Sequence, residues 1–123
     1  MAQNDSLNNT HINKNMMLSI VTLATKEVAG VINVIQPPMQ KLKKVLGSMN
    51  ILPNTSIGDG VSIVTTQLGL VIDVFIVVEI GYSVSDVVYR VQQNIKNSIS
   101  TMIEMPIKAI NVHIEDAEKH HQA

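Results

Sequence analysis

The sequence contains no cysteine and no tryptophan, and aromatic residues make up only 2% of its 123 positions. Without cysteine, the chain has no disulfide framework, no thiolate nucleophile and no thiolate metal ligand, a composition that fits a reducing cytoplasm. The formal net charge is -1, so the sequence creates no overall positive field that would attract nucleic acid. Nucleic acid is therefore not the expected partner.

Long hydrophobic runs are also missing. The most apolar stretch, residues 70–78, is interrupted by Asp73 and is far shorter than the ~20 residues of a membrane helix. The first residues have neither the basic region nor the apolar run of a signal peptide. We expect a cytoplasmic protein that is associated with a membrane only through a partner.

The apolar residues amount to 46% and come mostly from Val, Ile, Leu and Met. Such a chain can bury one continuous core, and its β-branched residues favour a sheet. We predict a flexible N-terminal tail over 1–9, a single domain over 10–116 and a polar C-terminal tail over 117–123.

Helical periodicity follows the first tail. Apolar residues recur at spacings of three and four, which predicts an amphipathic helix. This stripe consists of Met16, Met17, Ile20, Val21, Leu23, Ala24 and Val28. Gly30 lies where a left-handed residue commonly ends a helix, and the β-branched run 31–35 predicts a strand.

The segment 36–60 carries three of the four prolines and is predicted to be mostly irregular. Within it, Met39 to Leu46 follow helical spacing and predict a short amphipathic helix. Its lysines are interpreted as a solvated face, with contact to an anionic membrane or nucleic acid as the alternative. The Gly-Asp-Gly triplet at 58–60 precedes a strand and therefore predicts a turn, not a phosphate-binding loop.

Residues 61–66 and 70–80 are two strand-like runs separated by a loop that contains Gly69, which predicts a β-hairpin. Every even-numbered residue of the second run is Leu, Ile or Val, so that face is predicted to line the core. The opposite face is too apolar for free exposure and too charged for full burial. It carries Val71, Asp73, Phe75, Val77 and Glu79.

A second long helix is predicted to begin at a capping box formed by Ser83 and Asp86 and to be stopped by Pro106. Its apolar stripe consists of Val84, Val87, Val88, Val91, Ile95, Ile99, Met102 and Ile103. A last strand over 110–115 follows, with His113 expected on the outer face beside Phe75 and Glu79.

These elements predict an α+β fold in which two main helices lie on one face of a four-stranded mixed sheet, as a two-layer sandwich. The connection from the second hairpin strand through the long helix to the last strand is long enough for a crossover.

No group of residues in the sequence predicts a catalytic site. The turn at 81–83 lacks the second glycine of a nucleophile elbow, and Ser83 is explained as a helix cap. Asp73 and Glu79 are ~20 Å apart along one strand, so they cannot act on one atom, although a single buried Asp73 stays open as an active group. His120 and His121, near two acidic residues, are interpreted as a solvated tail, not a metal site. We predict no catalytic residue, no cofactor and no metal.

Four stretches resemble the alkaline shock protein family, also called the Gls general-stress or envelope stress response family. They are Leu23-Ala24 with 27–31 (Glu-Val-Ala-Gly-Val), 73–81 followed by Val84, 91–96 (Val-Gln-Gln-Asn-Ile-Lys) with Met102, and 110–114 (Ile-Asn-Val-His-Ile). The resemblance covers residues 15–115 in the family's order. The proline-bearing segment 36–60 departs from it by its greater length.

The resemblance implies a bacterial, cytoplasmic, non-enzymatic protein that serves as an interaction or scaffold module in envelope stress and membrane-lipid homeostasis. Some members of the family are scaffolds tethered to the membrane through an anchor protein. Others accompany a fatty-acid kinase or acetyl-CoA carboxylase, so an accessory role in fatty-acid metabolism is the alternative. A weak nucleic-acid-binding module is a further alternative.

The predicted interaction surface is the outer face of the sheet, which would dock a protein partner or a second copy of the chain. Its residues are Val64, Val71, Asp73, Phe75, Val77, Glu79 and His113. The competing hypothesis is that the amphipathic segment from Met39 to Leu46 folds back over this face.

Overall fold

A computed structural model describes residues 15–45 and 55–119 of the chain. The predicted tail over 1–9 lies outside these residues, as do Leu46, His120 and His121. The described part of the first helix, α1, covers 15–26. It is followed by β1 (Val31–Val34), α2 (Met39–Val45), β2 (Thr55–Gly58), β3 (Val61–Thr66), β4 (Gly69–Glu79), α3 (Val84–Ser100) and β5 (Ile107–Glu118).

Strand β4 is the centre of the sheet. It pairs with β5 in parallel along one edge, from Leu70 to Glu79. The other edge is shared by two antiparallel strands, because β3 pairs with residues 69–74 and β1 with residues 76–78. The predicted hairpin and the mixed character of the sheet are confirmed.

Within residues 15–45 and 55–119 the sheet has five strands, so the predicted count of four is wrong. The additional strand is β2, which pairs antiparallel with β3. The turn between them contains Asp59 and Gly60, both with positive φ, at 48° and 90°. Two such residues are typical of the tight turn that matches the twist of a β-hairpin. The predicted turn at 58–60 is thus confirmed, and it joins two strands.

The inner face of the sheet holds the core. Five even-numbered residues of β4, from Leu70 to Val78, are buried in one cluster with side chains from both long helices. Helix α1 and the turn after it contribute Met17, Val21, Ala24 and Val28, and α3 contributes Val87, Val91, Ile95 and Ile99. The structure is an α+β fold, with a core made by long-range packing of all these elements.

Each of the two predicted helical stripes contains apolar residues that are not buried in the structure. Met16 and Leu23 of α1 are exposed, and so are Val84 and Met102 at the two ends of the second stripe. Helix α3 ends at Ser100, with Thr101 as its C-cap, and therefore stops before Pro106. The apolar residues between 101 and 105 follow the spacing of the stripe without continuing the helix.

The start of α3 follows the prediction closely. Ser83 is the N-cap, and its hydroxyl accepts a hydrogen bond from the Asp86 backbone N–H. The helix then connects β4 to the parallel strand β5, as the predicted crossover requires. Strand β5 is longer than the predicted 110–115 and extends two residues past the predicted domain boundary at 116.

Candidate functional site

The outer face of the sheet carries the predicted site residues in cross-strand rows. Asp73 lies opposite Ser62 of β3 on one side and Asn111 of β5 on the other. Phe75 lies opposite His113, and Val71 lies opposite Val64. The alternation of β4 and the pairing of its neighbours therefore bring most of the predicted residues together on one surface.

Asp73 is the centre of a polar cluster on this face. Its side chain is nearly buried, and His113 Nε2 lies 2.8 Å from Asp73 Oδ1. The Asn111 amide Nδ2 donates to the same oxygen at 3.2 Å. A buried carboxylate is costly unless such partners compensate it, so these contacts explain how Asp73 is accommodated.

The His113 ring also packs on Phe75. The two rings are stacked, with centroids 4.6 Å apart and planes 16° from parallel. The prediction that His113 lies beside Phe75 is confirmed, but its predicted second neighbour is wrong, because Glu79 lies opposite Glu118 at the far end of β5. The stack fixes the imidazole plane while the Asp73 carboxylate fixes one of its nitrogens, so this histidine is held from two directions.

Ser62 brings a hydroxyl into the same cluster, so that a serine, a histidine and an aspartate share one face. The Ser62 hydroxyl is fully buried and has no hydrogen-bond partner among the described residues. A catalytic serine needs a hydrogen bond to its base and access to substrate. Ser62 has neither, because its hydroxyl has no hydrogen bond among the described residues and is closed off from solvent.

The residues of the predicted interaction surface differ strongly in solvent exposure. Phe75 is 0% exposed, and Val77 and Asp73 are each 4% exposed. The other predicted residues are partly exposed, namely Val64, Val71, Glu79 and His113. Its apolar centre is therefore not open to a partner in this structure.

Helix α2 is joined to the sheet by an ion pair. The Lys41 ammonium lies 2.9 Å from Glu115 Oε1 and 2.8 Å from Oε2, which links α2 to β5. Glu115 follows His113 by two residues and its side chain is only 9% exposed. Leu42, next to Lys41, is buried although it is not part of the inner core cluster. These contacts agree with the hypothesis that α2 covers the outer face, which stays a prediction.

The surface that sequence reasoning missed is the turn between β4 and α3, which exposes three apolar side chains within five positions. They are Ile80, Tyr82 and Val84, with 57%, 45% and 46% of their surfaces accessible. We call these three residues the turn surface. Polar residues are usual in such a turn. The apolar residues on both sides of Gly81 were therefore the sequence feature that could have predicted this surface.

Gly30 fixes the position of Tyr82. Gly30 has φ of +98°, and a Cβ atom built there would lie 2.9 Å from Tyr82 Cγ and 2.7 Å from Val87 Cγ2. The aromatic ring is thus packed directly on the backbone of the turn after α1. A glycine is required here both for the conformation and for the space.

Among the described residues, no group of three or more His, Asp or Glu side chains could hold a metal ion. No described helix is long and apolar enough to span a membrane. A surface groove between α1 and α3, lined by Glu27, Tyr89, Arg90 and Asn94 among others, contains none of the predicted site residues.

Comparison with known sequences assigns this arrangement to a family. The alkaline shock protein 23 family, described as having a cell envelope-related function, matches residues 2–118. The chain belongs to this family. The resemblance found in its sequence motifs is confirmed, and the match covers nearly the whole chain.

This alkaline shock family domain is similar to two bacterial proteins. Spy1535, an uncharacterised protein of Streptococcus pyogenes serotype M6, is 32% identical over 101 residues, which covers 80% of this chain and 71% of that protein. YqhY, an uncharacterised protein of Bacillus subtilis strain 168, is 39% identical over 57 residues, which covers 46% of this chain and 42% of that protein. No solved structure matches the chain.

The stretches that resemble the alkaline shock family converge in space. The 27–31 stretch contains Gly30, and the 73–81 stretch leads into Tyr82, which packs on it. The 110–114 stretch contains Asn111 and His113, both bonded to Asp73 of the central strand. The resemblance is therefore carried by the central strand and its direct neighbours.

Proposed function

We propose that this domain is a non-enzymatic protein-docking module with a role in the cell envelope, and that the turn surface is its docking site. The observation that carries the proposal is the exposure of Ile80, Tyr82 and Val84 on one tight turn. Clustered exposed apolar side chains on a soluble domain commonly mark an interaction site. The family supplies the cell-envelope context.

The turn surface is rigid, which favours docking. The Ile80 N–H donates to Glu118 O at 2.8 Å, and the Tyr82 N–H donates to Glu79 O at 3.3 Å. Tyr82 is packed on Gly30, and Ser83 caps the following helix. A preorganised anchor loses little conformational entropy on binding, and tyrosine is frequent at such anchors.

The surroundings of the turn surface indicate the chemistry of the partner. Asp116 and Glu118 are exposed near the end of β5, whose backbone bonds to Ile80, whereas the exposed Asp86 of α3 is paired with Arg90 at 2.9 Å. The carboxylates of Asp116 and Glu118 give the apolar site an acidic rim. The proposed partner is a protein with an apolar pocket bordered by basic residues, since such complementarity steers association.

The outer face could serve as a docking site only after its buried residues had become exposed. A partner that used Phe75 or Val77 would first need these side chains to be uncovered, because both are buried in this structure. In the covering hypothesis, α2 would have to move. The partly exposed residues Val64, Val71, Glu79 and His113 could border such a surface once α2 had moved. The turn surface needs no such rearrangement, and for this reason we place the docking site there.

The test uses Val84→Asp. Val84 is the first residue of α3, where an acidic side chain is favourable to the helix, so the fold should be retained. The matched control is Leu68→Asp, an equally drastic change at an exposed leucine of the β3–β4 turn. The tagged full chain and both variants are expressed in a native host and crosslinked, and the co-purified proteins are identified by mass spectrometry.

The proposal expects a specific envelope-associated protein with the native chain and with Leu68→Asp, and its loss with Val84→Asp. If that protein is a fatty-acid kinase or a subunit of acetyl-CoA carboxylase, the module has an accessory role in lipid supply. Equal recovery with all three chains, or recovery of no common protein, would contradict docking at the turn surface.

A further inference from the structure

The outer side of β4 is buried although the two long helices lie on the inner side. Phe75 and Val77 are both buried, yet neither belongs to the inner core cluster. A sheet that packs helices on one face leaves its other face to solvent unless another segment covers it. A segment of the chain therefore lies against the outer side of β4.

The chain before α2 is fixed on one side of β4. The Ile35 N–H donates to Phe75 O at 2.9 Å, and the Phe75 N–H donates to Gly60 O at 3.0 Å. The Gln36 side chain accepts a hydrogen bond from the Gly60 N–H through Oε1, at 2.8 Å. Residues 35 and 36 therefore lie at the level of Phe75, on the edge of β4 that faces β1 and β3.

The chain reaches the other side of β4 within a few residues. Lys41 follows Gln36 by five positions and pairs with Glu115 of β5, the strand on the opposite edge of β4. Glu115 lies in the register shift beside Ile76 and Val77. Crossing from one neighbour of β4 to the other takes ~10 Å, a distance that five residues can span. The chain between Gln36 and Lys41 thus crosses β4 near Val77.

The outer face is the available route for this crossing, because side chains of α1 and α3 fill the inner face. Pro37 and Leu42 are buried, and Leu42 is not part of the inner core cluster. The burial of Phe75 and Val77 occurs at the same level of the sheet. Helix α2 and the prolines before it are the segment that fits this burial.

Helix α2 is held by few contacts. It has seven residues, fewer than an isolated helix needs to be stable in water. Leu42 is its one buried side chain. Lys41, its link to β5, is half exposed, so its ammonium group is easily rehydrated when the ion pair separates. An element with so few buried contacts opens more easily than the core of a domain.

We propose that α2 is a releasable cover of the outer face, which detaches from the sheet while the inner core stays folded. Release frees Leu42, separates Lys41 from Glu115 and uncovers β4 around Val77. No residue of α2 belongs to the inner core cluster, so release leaves that cluster intact. The occupant of the outer face in the closed state is α2 of the same chain. The inference concerns the outer face and does not rest on docking at the turn surface.

Thiol labelling of the full chain tests release directly, because the sequence contains no cysteine. The probe is Val77→Cys on the outer face, and the matched control is Val74→Cys, at a buried position on the inner face of the same strand. A thiol reagent such as DTNB reacts only when the probe becomes exposed, and Val77→Cys should react about tenfold faster or more. Low concentrations of urea should accelerate Val74→Cys and leave Val77→Cys nearly unchanged, because release exposes little surface.

Substitutions added to the two probes identify what opens. Leu42→Ala removes the buried contact of α2 and should accelerate labelling of Val77→Cys about tenfold or more. Met39→Ala truncates an exposed side chain of the same helix and should change this rate little. Ile95→Val weakens the inner core, so it should accelerate Val74→Cys about threefold or more and leave Val77→Cys unchanged.

Hydrogen exchange of the native chain provides a measurement without any variant. The Leu42 N–H, which donates to Pro38 O at 3.0 Å, should exchange with little dependence on urea. The Phe75 N–H, bonded to Gly60 O, should exchange only on global unfolding. Equal protection of these two groups would overturn the proposal.

Three labelling results would also overturn it. They are equal rates for Val77→Cys and Val74→Cys, equal effects of Leu42→Ala and Met39→Ala, and acceleration of both probes by Ile95→Val. Labelling of Val77→Cys that slows as the protein concentration rises would assign the cover to a second copy of the chain and not to α2.

Discussion

The ammonium group of Lys41 and the carboxylate of Glu115, with their closest atoms 2.8 Å apart, connect a seven-residue helix to the far strand of the sheet. Lys41 is half exposed, whereas the Glu115 side chain is nearly buried. The two partners therefore differ in their energetic roles. Glu115 needs a partner because it has lost most of its water, while Lys41 retains much of its hydration.

Replacing Lys41 with Met should lower the free energy of unfolding by about 1–2 kcal/mol, because it leaves a nearly buried carboxylate without its cation. The double variant Lys41→Met, Glu115→Gln should recover part of this loss, since the remaining side chain is uncharged. Urea denaturation measures both. Lys43→Met, a change at an exposed lysine of the same helix, is the control and should be nearly neutral. An equal loss for the two single variants would show that Lys41 has no special role.

Phe75→Lys should abolish the folded state. The side chain is fully buried, and an ammonium group there would have no partner. Circular dichroism and thermal unfolding detect the loss. Tyr89→Lys is the control, because this exposed aromatic side chain lies on α3 and its replacement should preserve the fold. A folded Phe75→Lys chain that lost only partner binding would show that α2 does not cover this face in solution.

Asp73→Ala should destabilise the domain by about 2–3 kcal/mol, because it leaves Asn111 and His113 without their common acceptor. Combined with His113→Ala, the losses should be smaller than additive by about 1 kcal/mol or more, as expected for residues that share a contact. The double-mutant cycle is measured by urea denaturation. Strict additivity would mean that the contact between the two side chains contributes nothing to stability.

Gly30→Ala and Gly81→Ala form a matched pair. Both glycines have positive φ, near +100° in each case, so both substitutions strain the backbone. Only at Gly30 does the new methyl group also collide with Tyr82 and Val87, whereas it meets nothing within 4 Å at Gly81. Gly30→Ala should therefore cost about 1–3 kcal/mol more than Gly81→Ala in thermal or urea unfolding. Equal costs would show that Tyr82 is not held against Gly30.

The sequence alone predicted those features that depend only on the residue pattern within one helix or strand. The alternation in β4 correctly separated its core face from its outer face, and Ser83 with Asp86 correctly marked the start of α3. Both features depend on neighbours within a few residues. No knowledge of the rest of the fold was needed to predict them.

The predictions failed for features that depend on contacts with a distant segment of the chain. Thr55–Gly58 is too short and too polar to be recognised as a strand alone, and it is a strand because β3 offers it an edge. Met102 fits the helical stripe but lies beyond the end of α3, so nothing covers it. The outer face could not be assigned, because its surroundings are set by contacts between distant segments, such as the ion pair between Lys41 and Glu115, which are 74 positions apart.

Strand β4 has neighbours along both edges and cover on both faces, and those neighbours come from nearly every other part of the chain. Its hydrogen bonds along the β5 edge cannot form until residues up to 118 have left the ribosome. Until then, β4, the most aliphatic stretch of the protein, has one edge without hydrogen-bond partners. We therefore expect the nascent chain to depend on chaperones during the last stage of its synthesis, with cooperative closure only once β5 has emerged.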